Sequence, residues 1–205
     1  MKLVLPVFII VLSFGLSGCQ TTGVMTDEWV RVKTDGAWLD MSAPLRGVDS
    51  YSVYAKADWR QYSEVHSFED ADYYGSAWLG ALQSRWQWNA TDNAADFQKQ
   101  LLKWNRFEET APVLGRIRKD NFAGGPVVYS IGRFKQDDCL FVMRFLNRNQ
   151  SDDTKYRVQV VGYVCRNTGG RYTNDEANAI LESINVRNTA YNGTGIEQEA
   201  LAESN

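Results

Sequence analysis

The chain has 205 residues, with 25 acidic and 22 basic side chains, a formal net charge of −3 and 13% aromatic residues. Its mild acidity excludes the extended basic surface that is typical of nucleic-acid-binding proteins. Its aromatic content excludes general disorder, and its length suffices for one domain with a hydrophobic core.

The first 18 residues have the composition of a bacterial signal peptide. Lys2 precedes an uncharged, mainly apolar run over residues 3–16, as in the n-region and h-region of such peptides. As a helix this run would be roughly 21 Å long, shorter than the ~30 Å hydrocarbon core of a bilayer. The alternative, an uncleaved membrane anchor, is disfavoured by this length and by Pro6.

The run ends in Leu16-Ser17-Gly18-Cys19, which resembles the lipobox of bacterial lipoproteins. The resemblance implies cleavage before Cys19, diacylglycerol on its thiol and an acyl chain on its amino group, together a durable anchor. It also implies the periplasmic face of the outer membrane, because Gln20 stands where inner-membrane lipoproteins carry Asp. The alternative, an unmodified cysteine in an ordinary signal peptide, stays open.

The remaining chain divides into three parts. Residues 19–27 are short and polar, and we expect a lipidated tether there. Residues 28–186 are expected to form a single domain. Residues 187–205 lack a sustained apolar period and are expected to be a disordered or loosely attached tail.

The domain has the pattern of a β-rich fold. Seven segments alternate or run apolar between Gly, Pro and Asp breaks. They are residues 49–57, 62–68, 72–83, 113–118, 126–135, 138–147 and 155–165. Seven is the upper limit of the prediction, which is about five to seven strands.

Two of these strands predict a disulfide. If Cys19 is lipidated, Cys139 and Cys165 remain, and an even number of thiols in an oxidising compartment indicates a disulfide bond. A hairpin of 138–147 with 155–165, turning near residue 152, places the two cysteines opposite each other. The same register gives two further opposed pairs, Phe141 with Tyr163 and Met143 with Val161. The alternative is two separate buried thiols.

Two amphipathic helices complete the predicted fold. Thr173-Asn174-Asp175-Glu176 is a capping box, and apolar residues then follow at helical spacing, namely Ala177, Ile180, Leu181 and Ile184. An earlier helix after Thr91-Asp92 has its apolar stripe at Ala94, Phe97, Leu101 and Trp104. We therefore predict an α+β fold, a mainly antiparallel sheet packed against two helices. The ending over residues 180–186 is similar to that of Mog1/PsbP-like domains, and no functional residue is carried over from it.

No catalytic, nucleotide-binding or metal-binding motif stands out. His66 is the single histidine, so a multi-histidine metal site is excluded, and we expect neither a metal nor a cofactor. Glu64 and His66 share one face of a predicted strand and could form an acid–base pair. The alternative, which we favour, is a half-exposed strand histidine without a catalytic role.

Aromatic residues are dense between Trp59 and Trp104. If the segment around residue 87 is extended, Trp86 and Trp88 lie on one face and, with Trp78, could stack against a sugar or peptide. These three tryptophans are the candidate binding surface. The alternative, which we favour, is that they fill the interface between sheet and helix.

The leading functional hypothesis is a non-enzymatic envelope lipoprotein, a binding or accessory module. Its expected partners are the membrane, through Cys19, and an envelope protein or cell-wall component. One rival is an enzyme acting on cell-wall glycan or peptide, based on Glu64 and His66. Another is a structural surface lipoprotein without a specific ligand.

Overall fold

The computed structural model describes residues 23–40, 50–83, 87–89, 94–102, 107, 110–122, 125–149, 152–167, 169–187, 191, 193, 195–197 and 200–202. Several predictions lie outside these residues. They are the signal peptide over 1–18, the lipidation site Cys19, and the positions of Trp86 and Trp104.

Within these ranges the chain forms eleven strands and two helices. The strands are β1 (Thr26–Arg31), β2 (Leu39–Asp40), β3 (Ser50–Ala57), β4 (Gln61–Glu69), β5 (Tyr73–Leu82), β6 (Trp88–Asn89), β7 (Ile117–Phe122), β8 (Gly125–Phe134), β9 (Asp137–Asn149), β10 (Asp152–Arg166) and β11 (Asn185–Val186). The helices are α1 (Ala94–Leu101) and α2 (Asn174–Ser183).

The strands form one large antiparallel sheet. Its nine strands follow the order β1-β3-β4-β5-β10-β9-β8-β7, with β6 also paired to β10, while β11 and β2 form a separate two-stranded sheet. The α+β class with a mainly antiparallel sheet is as predicted, but the strand number exceeds the predicted five to seven. The strands β2, β6 and β11 have two residues each, too few to show an alternating pattern.

The predicted hairpin is confirmed in its register. β9 and β10 pair Cys139 with Cys165, and the two cysteines form a disulfide. The two further predicted pairs, Phe141 with Tyr163 and Met143 with Val161, are also present. β10 pairs on its other side with β5, and β9 pairs with β8, so both are interior strands.

Alternation along β9 separates two hydrophobic cores. Leu140 and Val142 face a core that includes Leu181 of α2, and we call this side the α2 face. Phe141 and Met143 face a second core on the opposite side, which includes Phe97 and Leu101 of α1 and which we call the α1 face. Both faces of the central strands are therefore covered, as their continuous apolar sequence predicts.

The capping box begins α2 as predicted. The Thr173 hydroxyl accepts from the Glu176 amide at 3.2 Å, and the Thr173 amide donates to the Glu176 carboxylate at 2.8 Å. The other end of α2 meets a buried cation, because Arg144 of β9 donates to the carbonyl of Ile184, the C-cap residue. A positive charge at this position stabilises the helix dipole.

The first and last described segments of the chain are held together by backbone hydrogen bonds. The backbone of Val24 pairs with that of Ile196 through bonds of 2.7 and 2.9 Å. The Lys33 amide donates to the Ala200 carbonyl at 2.8 Å, beside β1. Backbone hydrogen bonds are therefore also present on both sides of residues 28–186, the predicted domain. Isolated pairings of this kind leave no periodic pattern in the sequence.

Candidate functional site

A row of polar side chains lies buried on the α2 face of the sheet. Tyr62, Glu64 and His66 alternate along β4 and so share this face, and Tyr51 approaches it from β3. Glu64 and His66 are both 0% exposed. The structure therefore brings the predicted acid–base pair together, but His66 is fully buried where we expected it to be half-exposed.

These four side chains form one hydrogen-bonded chain. His66 Nε2 lies 3.0 Å from Glu64 Oε2, and His66 Nδ1 lies 2.6 Å from the Tyr51 hydroxyl. The Tyr62 hydroxyl donates to Glu64 Oε1. A neutral His66 with its proton on Nε2 satisfies both of its contacts, since it donates to Glu64 and accepts from Tyr51.

Two backbone amides complete the set of hydrogen-bond donors around the Glu64 carboxylate. The Trp38 amide donates to Oε1 at 2.7 Å, and the Leu39 amide donates to Oε2 at 3.0 Å. Among the described residues the carboxylate thus meets four donors, which match the roughly four lone-pair positions of an ionised carboxylate. Glu64 therefore links the segment of β2 to β4 and has no lone pair left for a substrate.

Burial also raises the pKa of both flanking tyrosines, so their hydroxyls stay protonated. Desolvation, followed by the charge and hydrogen bond of Glu64, raises the pKa of Tyr62 far above its usual value. Desolvation and the charge of Glu64 raise the pKa of Tyr51 in the same way. Both hydroxyls therefore act as donors at neutral pH, and the chain of hydrogen bonds has the geometry of a structural network.

Trp78 and Trp88 lie together on the α1 face. Their ring centroids are 5.8 Å apart and nearly perpendicular, and both half-buried rings pack against the second core. The Trp78 ring lies over Gly80, where a Cβ would come within 2.3 Å of Trp78 Cη2. Trp78 and Trp88, two of the three tryptophans of the candidate binding surface, therefore also pack against the second core. The third, Trp86, lies outside the described residues.

Exposed apolar side chains concentrate elsewhere, at the end of the sheet where β1 begins and β3 ends. Met25 is 47% exposed, Trp29 42% and Trp59 53%. A cation lies over each indole, with Lys56 Nζ 5.0 Å from the Trp29 ring centre and Arg60 Cζ 4.3 Å from that of Trp59. We call these five residues the β1–β3 surface.

Sequence reasoning missed this surface. Trp59 belongs to the aromatic-rich stretch, but Trp29 lies just after the predicted tether, where no pattern marks it. Its contact with Lys56 depends on the pairing of β1 with β3, and β1 has mostly exposed residues without an amphipathic alternation. The one available signal in the sequence was Trp29, a tryptophan a short distance after Cys19, the predicted lipidation site.

A second aromatic feature crosses the strands of the α1 face. Tyr54 of β3, 42% exposed, pairs with Val65 of β4, which in turn pairs with Trp78 of β5. Directly paired residues point to the same side of a sheet. We call this set the aromatic row, and it runs from an exposed ring at Tyr54 to a half-buried one at Trp78.

Metal-ion clusters and membrane-spanning helices are two further features that bear on function. Within the described residues, no group of three or more His, Cys, Asp and Glu side chains could hold a metal ion. In the same part of the chain, no helix is long and apolar enough to cross a membrane.

No protein-family model, curated protein or solved structure matches the chain. A functional proposal therefore has to be based on the chemistry of the chain's own residues.

Proposed function

We propose that the chain is a lipid-anchored protein of the bacterial cell envelope that acts as a non-enzymatic binding or accessory module. In this proposal Cys19 carries the lipid, and Gln20 directs the protein to the periplasmic face of the outer membrane. The disulfide between Cys139 and Cys165 supports an oxidising compartment, where such bonds persist.

One contrast supports binding over catalysis. The side chains suited to acid–base chemistry, Glu64 and His66, are fully buried and engaged with each other. Large aromatic side chains, which dominate the energetics of protein interfaces, are instead exposed. The aromatic row offers such a ring at Tyr54, with Val65 and Trp78 extending the apolar strip across two further strands.

The binding proposal can be tested in the native envelope. Full-length protein would be crosslinked in living cells and purified, with Tyr54→Ala as the test variant. Val113→Ala is the matched control, because Val113 is 70% exposed and lies beside β8, outside the row. We expect a reproducible partner that is lost in Tyr54→Ala and kept in Val113→Ala. Failure to recover a partner with the wild-type protein would count against the proposal.

The anchor has a separate test. Intact mass spectrometry of membrane-extracted protein, with and without reductant, should give a first residue at Cys19 carrying acyl chains. Reduction should add the mass of two hydrogens as the Cys139–Cys165 bond opens. An unacylated chain that begins elsewhere would refute the lipid-anchor proposal.

A further inference from the structure

We propose that the β1–β3 surface rests on the lipid headgroups of the membrane that holds the anchor. The inference depends on the proposed lipidation of Cys19, and it goes beyond it by naming the face that the domain turns towards the bilayer. The occupant of the surface is thus a bilayer and not a protein partner.

The length of chain between anchor and domain supports this orientation. Val24 is held in place by two backbone hydrogen bonds to Ile196, and only residues 20–23 separate it from Cys19. At ~3.6 Å per residue, these five steps span at most about 18 Å. A lipidated Cys19 therefore keeps the domain end that contains Val24 close to the bilayer.

The exposed rings lie at that same end of the domain. Met25 directly follows Val24, and its sulfur lies 3.9 Å from the Tyr191 hydroxyl oxygen. Tyr191 also donates to the carbonyl of Asp58, the residue before Trp59. The turn that carries Trp59 is therefore next to Val24 and Met25. If a lipidated Cys19 holds these two residues close to the bilayer, it holds Trp59 close as well.

The chemistry of the surface suits an interface between lipid and water. Tryptophan is enriched at the headgroup level, where its ring is apolar and its N–H can meet water or phosphate. Lys56 and Arg60 place cations beside the two rings, within reach of phosphate groups. Exposed Asp27 and Glu28 on β1 offset these charges, so we expect the rings, and not net charge, to determine contact.

Tryptophan quenching tests the orientation in the complete protein. Membrane-extracted full-length chain would be reconstituted in phosphatidylcholine vesicles that contain a lipid spin-labelled near the headgroup. In the double variant Trp29→Phe, Trp59→Phe, we expect the quenchable fluorescence to fall by about half or more, since interfacial tryptophans are the ones within reach of the label. The matched control is Trp78→Phe, a half-buried ring two strands away from β3, for which quenching should persist.

The outcomes separate this inference from the proposed function. If the chain is acylated at Cys19 but quenching is the same with and without Trp29 and Trp59, the orientation is wrong and the anchor stands. If mass spectrometry of the same sample shows no acyl chain, both are wrong. Crosslinks from Trp29 or Trp59 to an envelope protein or a second copy would also overturn the inference, because they identify another occupant. Near-ultraviolet circular dichroism checks that each variant is folded.

Discussion

His66 Nε2 lies 3.0 Å from Glu64 Oε2, and neither side chain has any exposed surface. A buried carboxylate is costly unless its lone pairs accept hydrogen bonds. Glu64 meets this condition through His66, the Tyr62 hydroxyl and the backbone amides of Trp38 and Leu39. The pair is thus best understood as a junction between the segment of β2 and the main sheet.

Glu64→Gln is expected to destabilise the domain. A single amide oxygen cannot accept from all four donors, and the new NH₂ group faces a backbone N–H, so at least one buried donor loses its partner at a cost of about 1–3 kcal/mol. Urea unfolding followed by fluorescence measures this loss. Glu182→Gln on the exposed side of α2 is the control, and we expect a change there within about 0.5 kcal/mol. Equal stability of both variants would contradict the structural role.

Glu64→Gln and Glu182→Gln, together with His66→Ala, also test for catalysis. We expect the purified chain to leave peptidoglycan and glycan panels unchanged, because the buried Glu64 and His66 are out of reach of a substrate. Chromatography of the incubated glycans and peptides is the measurement. Turnover that is lost in Glu64→Gln and in His66→Ala but kept in Glu182→Gln would favour the rival enzyme hypothesis.

Removal of the disulfide is expected to cost more than most single substitutions. Cys139 and Cys165 are 26 residues apart in sequence, and closing a loop of that length contributes about 3.5 kcal/mol in the chain-entropy model. Because both side chains are fully buried, the variant Cys139→Ala, Cys165→Ala avoids placing new polar groups in the core. Urea unfolding of the wild type and this variant, each with and without reductant, gives the difference. A reductant effect that persists in the variant would contradict the assignment.

Local patterns were sufficient for some elements of this fold. The β9–β10 register followed from two long apolar runs around a polar turn, with the cysteines as a check on the alignment. α2 followed from a four-residue capping box, whose hydrogen bonds depend only on residues within one helical turn. In both cases the determining interactions are close in sequence or symmetric about one turn.

Other features depend on contacts between distant residues. Alternation placed Glu64 and His66 on one face of β4, but the donors that explain Glu64 come from Trp38 and Leu39, 26 and 25 residues away. Whether that face is core or surface could not be read from β4 alone. The contact of Trp29 with Lys56 depends in the same way on the pairing of β1 with β3. The hydrogen bonds around Glu64 and the contact of Trp29 with Lys56 could therefore be recognised only in the three-dimensional structure.

Gly80→Ala is expected to displace the Trp78 ring. An added Cβ would lie 2.3 Å from Cη2 and 2.5 Å from Cζ2 of the indole, so the ring must move, at a cost of about 1–3 kcal/mol for overpacking. The contact of Trp78 with Trp88 should change as well, which near-ultraviolet circular dichroism detects. Trp78→Phe removes both clashing atoms, so the double variant Trp78→Phe, Gly80→Ala should lose less stability than the sum of the single changes. Additive losses would show that the ring is not the constraint.

Acid should weaken the start of α2 through Glu176. The backbone N–H of Thr173, then Arg166 and then the Thr173 hydroxyl lower the pKa of this carboxyl from 4.5 to about 2. A pKa that is lower in the folded than in the unfolded chain contributes stability above the unfolded value, and this contribution is lost as pH falls through the folded value.

Glu176→Gln tests this dependence, because glutamine keeps the acceptor of the capping box and removes only the charge. The difference in unfolding free energy between wild type and variant should be largest above about pH 5 and should shrink towards about pH 2. Urea titrations across this range measure it. A difference that stays constant with pH would mean that Arg166 and Thr173 stabilise the helix without discriminating between the charged and neutral carboxyl.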